Sequence, residues 1–122
     1  MLVINKIIFT FLIFLFSSSL TLGSEILVID GDTIKIGKEK IRFSGIDAPE
    51  INQICIYDMV DVECGKISKK ILSDKIAGNK ISCFSDGTDR YKRTLAECFV
   101  GEESLSSFLV RSGYAFAYRK YS

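Results

Sequence analysis

Between Ile26 and Ile46 apolar residues alternate with polar ones in three successive short stretches, each closed by turn residues or a proline. Ile26 and Val28 run into Asp30-Gly31, Thr33-Ile34-Lys35-Ile36 resumes the alternation, and Gly37-Lys38-Glu39 turns into Lys40-Ile41-Arg42-Phe43-Ser44-Gly45-Ile46. Period-two alternation sends one face of a strand into a core and the other into solvent, and Asp-Gly is a strong hairpin signal. A meander of three short strands is the expectation. Pro49, the one proline of the chain, ends it. In the third strand Ile41 and Phe43 share the inward face, so Arg42 points the other way.

From Gly65 the period changes. Ile67, Ile71, Leu72 and Ile76 recur at helical spacing with lysines on the outer face, and Gly78 supplies a stop. Residues 51–63, ahead of that helix, are expected to be a loop. Residues 80–85 and 95–100 read as a fourth and a fifth strand, with a turn at Asp86-Gly87-Thr88 between them. Leu105, Phe108 and Leu109 mark a short second helix ended by Gly113. Five short strands with a helix inserted after the third predict an α+β, mainly β domain, a five-stranded Greek-key barrel of the OB type.

The chain ahead of the strands has a different character. Lys6 is its first charge, residues 7–16 are apolar except for Thr10, and Ser17-Ser18-Ser19 precede Leu20-Thr21-Leu22-Gly23. A basic start, an apolar middle and a small residue before the cut describe a secretory leader over residues 1–23, with the domain proper over residues 24–122. An uncleaved N-terminal anchor is the other reading. Cleavage would make the product secreted or periplasmic; retention would tether it to a membrane.

Cys55, Cys64, Cys83 and Cys98 contain no Cys-x-x-Cys pair, which argues against a structural zinc site. With a leader and an even count, two disulfides are the simpler expectation. Three pairings are open. Cys55 with Cys64 and Cys83 with Cys98 is the favoured one, because the second pair falls on two strands expected to be antiparallel neighbours.

Histidine is absent from all 122 residues. That removes the commonest general base and the commonest transition-metal ligand, so any catalysis rests on carboxylates, guanidiniums and a hard, oxygen-seeking cation. The leader holds one of the 16 basic residues and none of the 15 acidic ones, leaving the remainder neutral. A neutral domain is no general polyanion sponge, and contact with nucleic acid has to come from local patches. Asp32 follows a turn at a strand end, and Asp47 and Glu50 stand just beyond another strand end. If those strands pair, three carboxylates can converge at one rim, where Ca²⁺ fits better than Mg²⁺. An EF-hand is excluded, because Ile34 and Lys35 occupy positions that need Asp or Asn and Gly. Arg42 and Arg93 add planar, permanent cations suited to the charge that builds on a phosphate under in-line attack. Tyr91, among basic residues, suits nucleotide contact.

Three stretches then match one family in order. Val28-Ile29-Asp30-Gly31-Asp32-Thr33, Ile41-Arg42-Phe43-Ser44-Gly45-Ile46-Asp47-Ala48-Pro49-Glu50 and Asp89-Arg90-Tyr91-Lys92-Arg93-Thr94-Leu95-Ala96 resemble the staphylococcal-type nuclease family. Leu109-Val110-Arg111-Ser112-Gly113-Tyr114-Ala115 is similar to the exit of that family's second helix. The resemblance implies that Asp32, Asp47 and the Ala48 carbonyl bind Ca²⁺, that Glu50 is the general base, and that Arg42 and Arg93 grip the phosphate. It further implies that Arg90 and Tyr91 lie near a terminal phosphate of a bound nucleotide and that Tyr118 stacks on a base. The activity it implies is hydrolysis of DNA and RNA to 3′-phosphate ends by a monomer. The rivals are a non-catalytic OB-type module that binds nucleic acid or protein, and a two-ion Mg²⁺ nuclease, for which three acids are few. Two departures stand out: Lys92 replaces a glycine of the family, and the chain stops at Ser122, where the family continues into a third helix.

Overall fold

The computed structural model describes residues 25–118. The expected leader, its cleavage point before Ser24 and the last four residues lie outside that range. Strands β1 (Ile26–Asp30), β2 (Thr33–Ile36) and β3 (Glu39–Phe43) pair antiparallel in sequence order. Val28 lies opposite Ile34, and Ile34 opposite Ile41. These three and Phe43 keep 8% of their surface or less, as the inward half of an alternating meander must.

The third strand is shorter than the alternation suggested. The chain turns at Ser44-Gly45, where Gly45 has φ +76°, and β4 (Ile46–Asp47) leaves the main sheet. It pairs instead with β10 (Phe116–Ala117), Asp47 opposite Phe116. A left-handed residue cannot continue a ladder, so the apolar alternation runs on through a break in the backbone.

Residues 51–63 are not wholly a loop. They contain a hairpin of β5 (Cys55–Tyr57) and β6 (Val60–Val62) around Asp58 and Met59, with φ +47° and +65°. Two consecutive positive φ values mark the turn that fits a twisted hairpin, and Asn-Gly or Asp-Gly normally announces it. Asp-Met does not, which is why the hairpin was hidden.

Helix α1 (Cys64–Ile76) lays Ser68, Leu72 and Ile76 against the sheet. Strands β7 (Ile81–Thr88) and β8 (Thr94–Val100) follow as an antiparallel pair with Cys83 opposite Cys98. β7 runs through Asp86-Gly87-Thr88, the expected turn, by absorbing a residue as a bulge between Ser85 and Gly87. β8 then pairs parallel with β3, Phe43 beside Ala96. β9 (Glu103–Ser104) adds to the end of β8, and the Ser104 hydroxyl accepts the Ser107 N–H at 3.3 Å to cap α2 (Leu105–Arg111).

The result is a sheet-dominated α+β fold of the OB type, with five principal strands in the order β1-β2-β3-β8-β7 and two helices. Ile34, Phe43, Leu72, Cys98, Leu105 and Leu109 have no exposed surface and form its centre. Disulfides join Cys55 to Cys64 and Cys83 to Cys98, with Cα–Cα distances of 5.7 and 4.1 Å. Among the described residues no helix is long and apolar enough to cross a membrane.

Candidate active site

The turn between β1 and β2 carries the first carboxylates. Asp30 Oδ1 accepts the Asp32 N–H at 3.0 Å, a local bond that Asp makes readily and that bends the chain. Asp32 is only 5% exposed. Its Oδ1 accepts the Thr33 hydroxyl at 2.9 Å, and its Oδ2 accepts the Ala48 N–H at 2.9 Å. Gly31 lies hard against α1: a Cβ there would collide with the Ser68 side chain and stand 2.9 Å from the Ala48 Cβ. Ser68 is itself fully buried and donates to the Tyr114 carbonyl at 3.0 Å. The acidic turn is therefore clamped between α1, the Ala48 backbone and the segment leading to β10.

Arg42 stands opposite Thr33 in the β2–β3 ladder. Its Nη2 lies 3.4 Å from Asp32 Oδ2 and donates to Asp47 Oδ1 at 3.1 Å. Its Nη1 donates to the carbonyls of Phe43 and Ile46 at 2.9 and 2.8 Å. Two carboxylates, one from the β1–β2 turn and one from β4, thus meet at one cationic nitrogen. The two backbone bonds fix the guanidinium around the turn at Ser44-Gly45.

Glu50, Tyr91, Arg93 and Lys40 line a neighbouring open cleft of ≈ 410 Å³. The exposed Glu50 is placed by its backbone: its N–H donates to Gln53 Oε1 at 3.1 Å, and the Gln53 N–H returns to the Glu50 carbonyl at 2.8 Å. At the first turn of α1, a Cβ on Gly65 would strike that same carbonyl, so the helix start abuts the Glu50 loop. Arg93 is held by Asp89, through Nε to Oδ2 at 2.6 Å and through its backbone N–H to Oδ1 at 2.9 Å. Arg90 and Arg93 lie over the Tyr91 ring at 5.0 and 5.3 Å from its centre. Lys92 has φ +64°, the left-handed region that glycine enters freely and lysine does not.

Two groups therefore form, Asp32–Arg42–Asp47–Ala48 and Lys40–Glu50–Tyr91–Arg93, with Arg90 beside Tyr91. Tyr118 is not among them. It is half-exposed, its N–H donates to the Gly45 carbonyl at 3.0 Å beside β10, and it does not line the cleft.

Burial pushes Asp30 up to about 6, helped by the hydrogen bond and charge of Asp32 and by the charge of Glu50, against the pull of the Asp32 N–H. Asp30 was not singled out in the sequence; the Asp-x-Asp spacing was its signal. Burial also pushes Asp89 upward, but the Arg93 N–H and guanidinium and the Tyr91 N–H outweigh it and hold the carboxyl below its usual range.

Among the described residues no three carboxylates stand at metal-ligating spacing. Asp32 and Asp47 nonetheless aim hard oxygen donors at a common point, marked by the Arg42 nitrogen, and no histidine competes. This donor set fits Ca²⁺, which takes roughly six to eight oxygens and readily completes its shell with carbonyls and water. A two-ion Mg²⁺ site, which needs more carboxylates, is not assembled among these residues.

The sequence profile of the family described as staphylococcal nuclease homologue matches residues 40–122. An uncharacterized endonuclease of Haemophilus influenzae is 33% identical over 129 aligned residues, covering 97% of this chain and 67% of that protein. The succinoglycan biosynthesis protein ExoI of Rhizobium meliloti is 36% identical over 91 residues, covering 72% of this chain and 48% of that protein. This chain thus spans about half the length of the second relative and two thirds of the first.

Proposed function

We propose, for a chain that belongs to the staphylococcal nuclease family, that it is an exported, Ca²⁺-dependent endonuclease that hydrolyses DNA and RNA and leaves 3′-phosphate ends. One arrangement carries the reading: Asp32 and Asp47 meet at a single Arg42 nitrogen, and Lys40, on the same strand as Arg42, lines the cleft of Glu50 and Arg93. The name of the Haemophilus relative, an endonuclease, points the same way. The leader-like residues 1–23 and the two disulfides support export, since such bridges persist in oxidising compartments.

Asp32, Asp47 and the Ala48 carbonyl would hold Ca²⁺, which when bound supplies Lewis-acid polarisation of a phosphate oxygen. Glu50 accepts a proton from the attacking water, whose oxygen bonds to phosphorus in line with the departing 5′ oxygen. The bond from phosphorus to that 5′ oxygen breaks, the 5′-hydroxyl leaves with a proton from solvent, and the phosphate stays on the 3′ side. Arg93 faces the cleft, and Arg42 exchanges its carboxylates for phosphate oxygens; both stabilise charge that grows in the transition state. Each such donor is worth on the order of 10²–10³ in rate.

The test is Glu50→Gln, assayed on DNA and RNA with Ca²⁺ and with chelator. Turnover should fall by about 10² or more while the circular dichroism spectrum is retained. Equal turnover in that variant removes Glu50 as the base. A wild-type protein that binds oligonucleotides and cleaves none in Ca²⁺ is instead the non-catalytic module.

A further inference from the structure

Lys40 lines the cleft, and the mechanism above leaves it without a task. It precedes Arg42 by two positions on β3, so both side chains leave the same face of the sheet, roughly 6.6–6.8 Å apart along the strand. Lys35 lies directly opposite Lys40 in the ladder, as Thr33 lies opposite Arg42. Directly opposed residues share a face, with Cβ atoms about 4.5–5.5 Å apart. That face therefore carries Arg42, Lys40 and Lys35 as a continuous cationic run leading away from Asp32 and Asp47. Among the described residues, no ion pair engages either lysine, as is also true of Lys38, Lys69, Lys80 and Lys92, while Lys66, Lys70 and Lys75 have carboxylate partners. Glu39, the nearest acid in sequence, turns its carboxylate to the Thr94 hydroxyl at 2.7 Å.

Like charges opposed across a ladder repel, and among the described residues no carboxylate forms an ion pair with either lysine. General basicity does not account for the placement, because the domain outside the leader is neutral. An anion lying along the face relieves the repulsion. A polynucleotide gripped at one phosphate by Arg42 presents its next phosphate at a repeat close to the two-residue spacing of the strand.

We propose that Lys40 and Lys35 form a subsite for the phosphodiester adjacent to the scissile one, so that the preferred substrate is a polynucleotide and not an isolated diester. This rests on the nuclease reading of the same cleft. The full chain, as wild type, Lys40→Gln and Lys35→Gln/Lys40→Gln, is compared on an oligothymidylate and on a nucleoside 4-nitrophenyl phosphodiester, which has a single phosphate. The ratio of kcat/KM for the polymer to that for the single diester should fall about tenfold in Lys40→Gln, chiefly through KM. The log–log salt dependence of oligothymidylate binding, read by fluorescence anisotropy, should lose about 0.7 of slope for each phosphate contact removed. An equal loss on both substrates, or an unchanged salt slope, overturns the subsite. If the wild type cleaves neither substrate the nuclease reading fails, and the anisotropy slope alone still decides whether these lysines hold a phosphate.

Discussion

Asp89 holds Arg93 at three points: it accepts the Arg93 N–H at 2.9 Å on one carboxylate oxygen and Nε at 2.6 Å on the other, and its own N–H donates to the Arg93 carbonyl at 2.9 Å. The guanidinium reaches the cleft in a fixed pose because the loop from Asp89 to Arg93 closes on itself. Asp89→Ala should therefore lower kcat by about 10–100-fold through misplacement of Arg93, with a smaller change in KM. The carboxyl is held below its usual range, so its stabilising effect is present above the unfolded carboxylate value and lost as pH falls through the folded one. Melting temperatures of wild type and Asp89→Asn should accordingly converge in acid. A gap that stays constant with pH would show that the charge of Asp89 is irrelevant to the loop.

Lys92 reaches its φ of +64° inside that same loop, and its N–H donates to the Asp89 carbonyl at 3.2 Å. A left-handed residue with a Cβ costs roughly 1–2 kcal/mol, and glycine returns part of the gain as unfolded-chain entropy. Lys92→Gly should stabilise the domain by about 0.5–1 kcal/mol, a rise of a few degrees in Tm. Lys92→Ala keeps the strain and should leave Tm nearly unchanged. If alanine stabilises as much as glycine, the lysine side chain and not the backbone is at fault.

Ser68 fills the space that a side chain on Gly31 would need. Gly31→Ala should destabilise by about 1–3 kcal/mol as an overpacking change, and the Asp32 turn should lose cation affinity with it. Ser68→Gly opens the volume but releases the Tyr114 carbonyl, so each single change is harmful. The double variant should recover at least 1 kcal/mol relative to additivity in a denaturant-unfolding cycle. Strict additivity would mean that the two positions do not touch.

Asp30 gives the domain a pH dependence of opposite sign. Its folded value, about 6, lies above the unfolded one, so stability from its protonated form is full below the unfolded value and disappears as pH rises through 6. In chelator, Asp30→Asn should gain a few degrees of Tm over wild type between pH 4 and pH 7.5. Added Ca²⁺ should shrink that gain, because a nearby cation favours the ionised carboxyl. A pH-independent difference would remove the ionisation of Asp30 as its cause.

Much of this arrangement was readable in the chain. The inward positions Val28, Ile34, Ile41 and Phe43 follow from alternation, and Leu72 and Ile76 from helical spacing, because burial of a repeating face is what a period records. Features set by single backbone angles were not readable. The break at Gly45, the hairpin at Asp58 and Met59 and the bulge at Gly87 depend on local φ values that residue types announce only sometimes. Within the site, Asp32, Asp47 and Arg42 come together as the motifs suggested. Tyr118 does not line the cleft of Glu50 and Arg93; its N–H is tied to Gly45, beside β4. Lys40 went unmarked although its step of two from Arg42 was visible.

The parallel pairing of β3 with β8 and the antiparallel pairing of β4 with β10 join parts of the site that lie far apart in sequence. Asp47 has its strand partner only after Phe116 has been made, and Arg93 follows Arg42 by half the domain. A nascent polypeptide therefore cannot complete this site until nearly all of the described residues have been made.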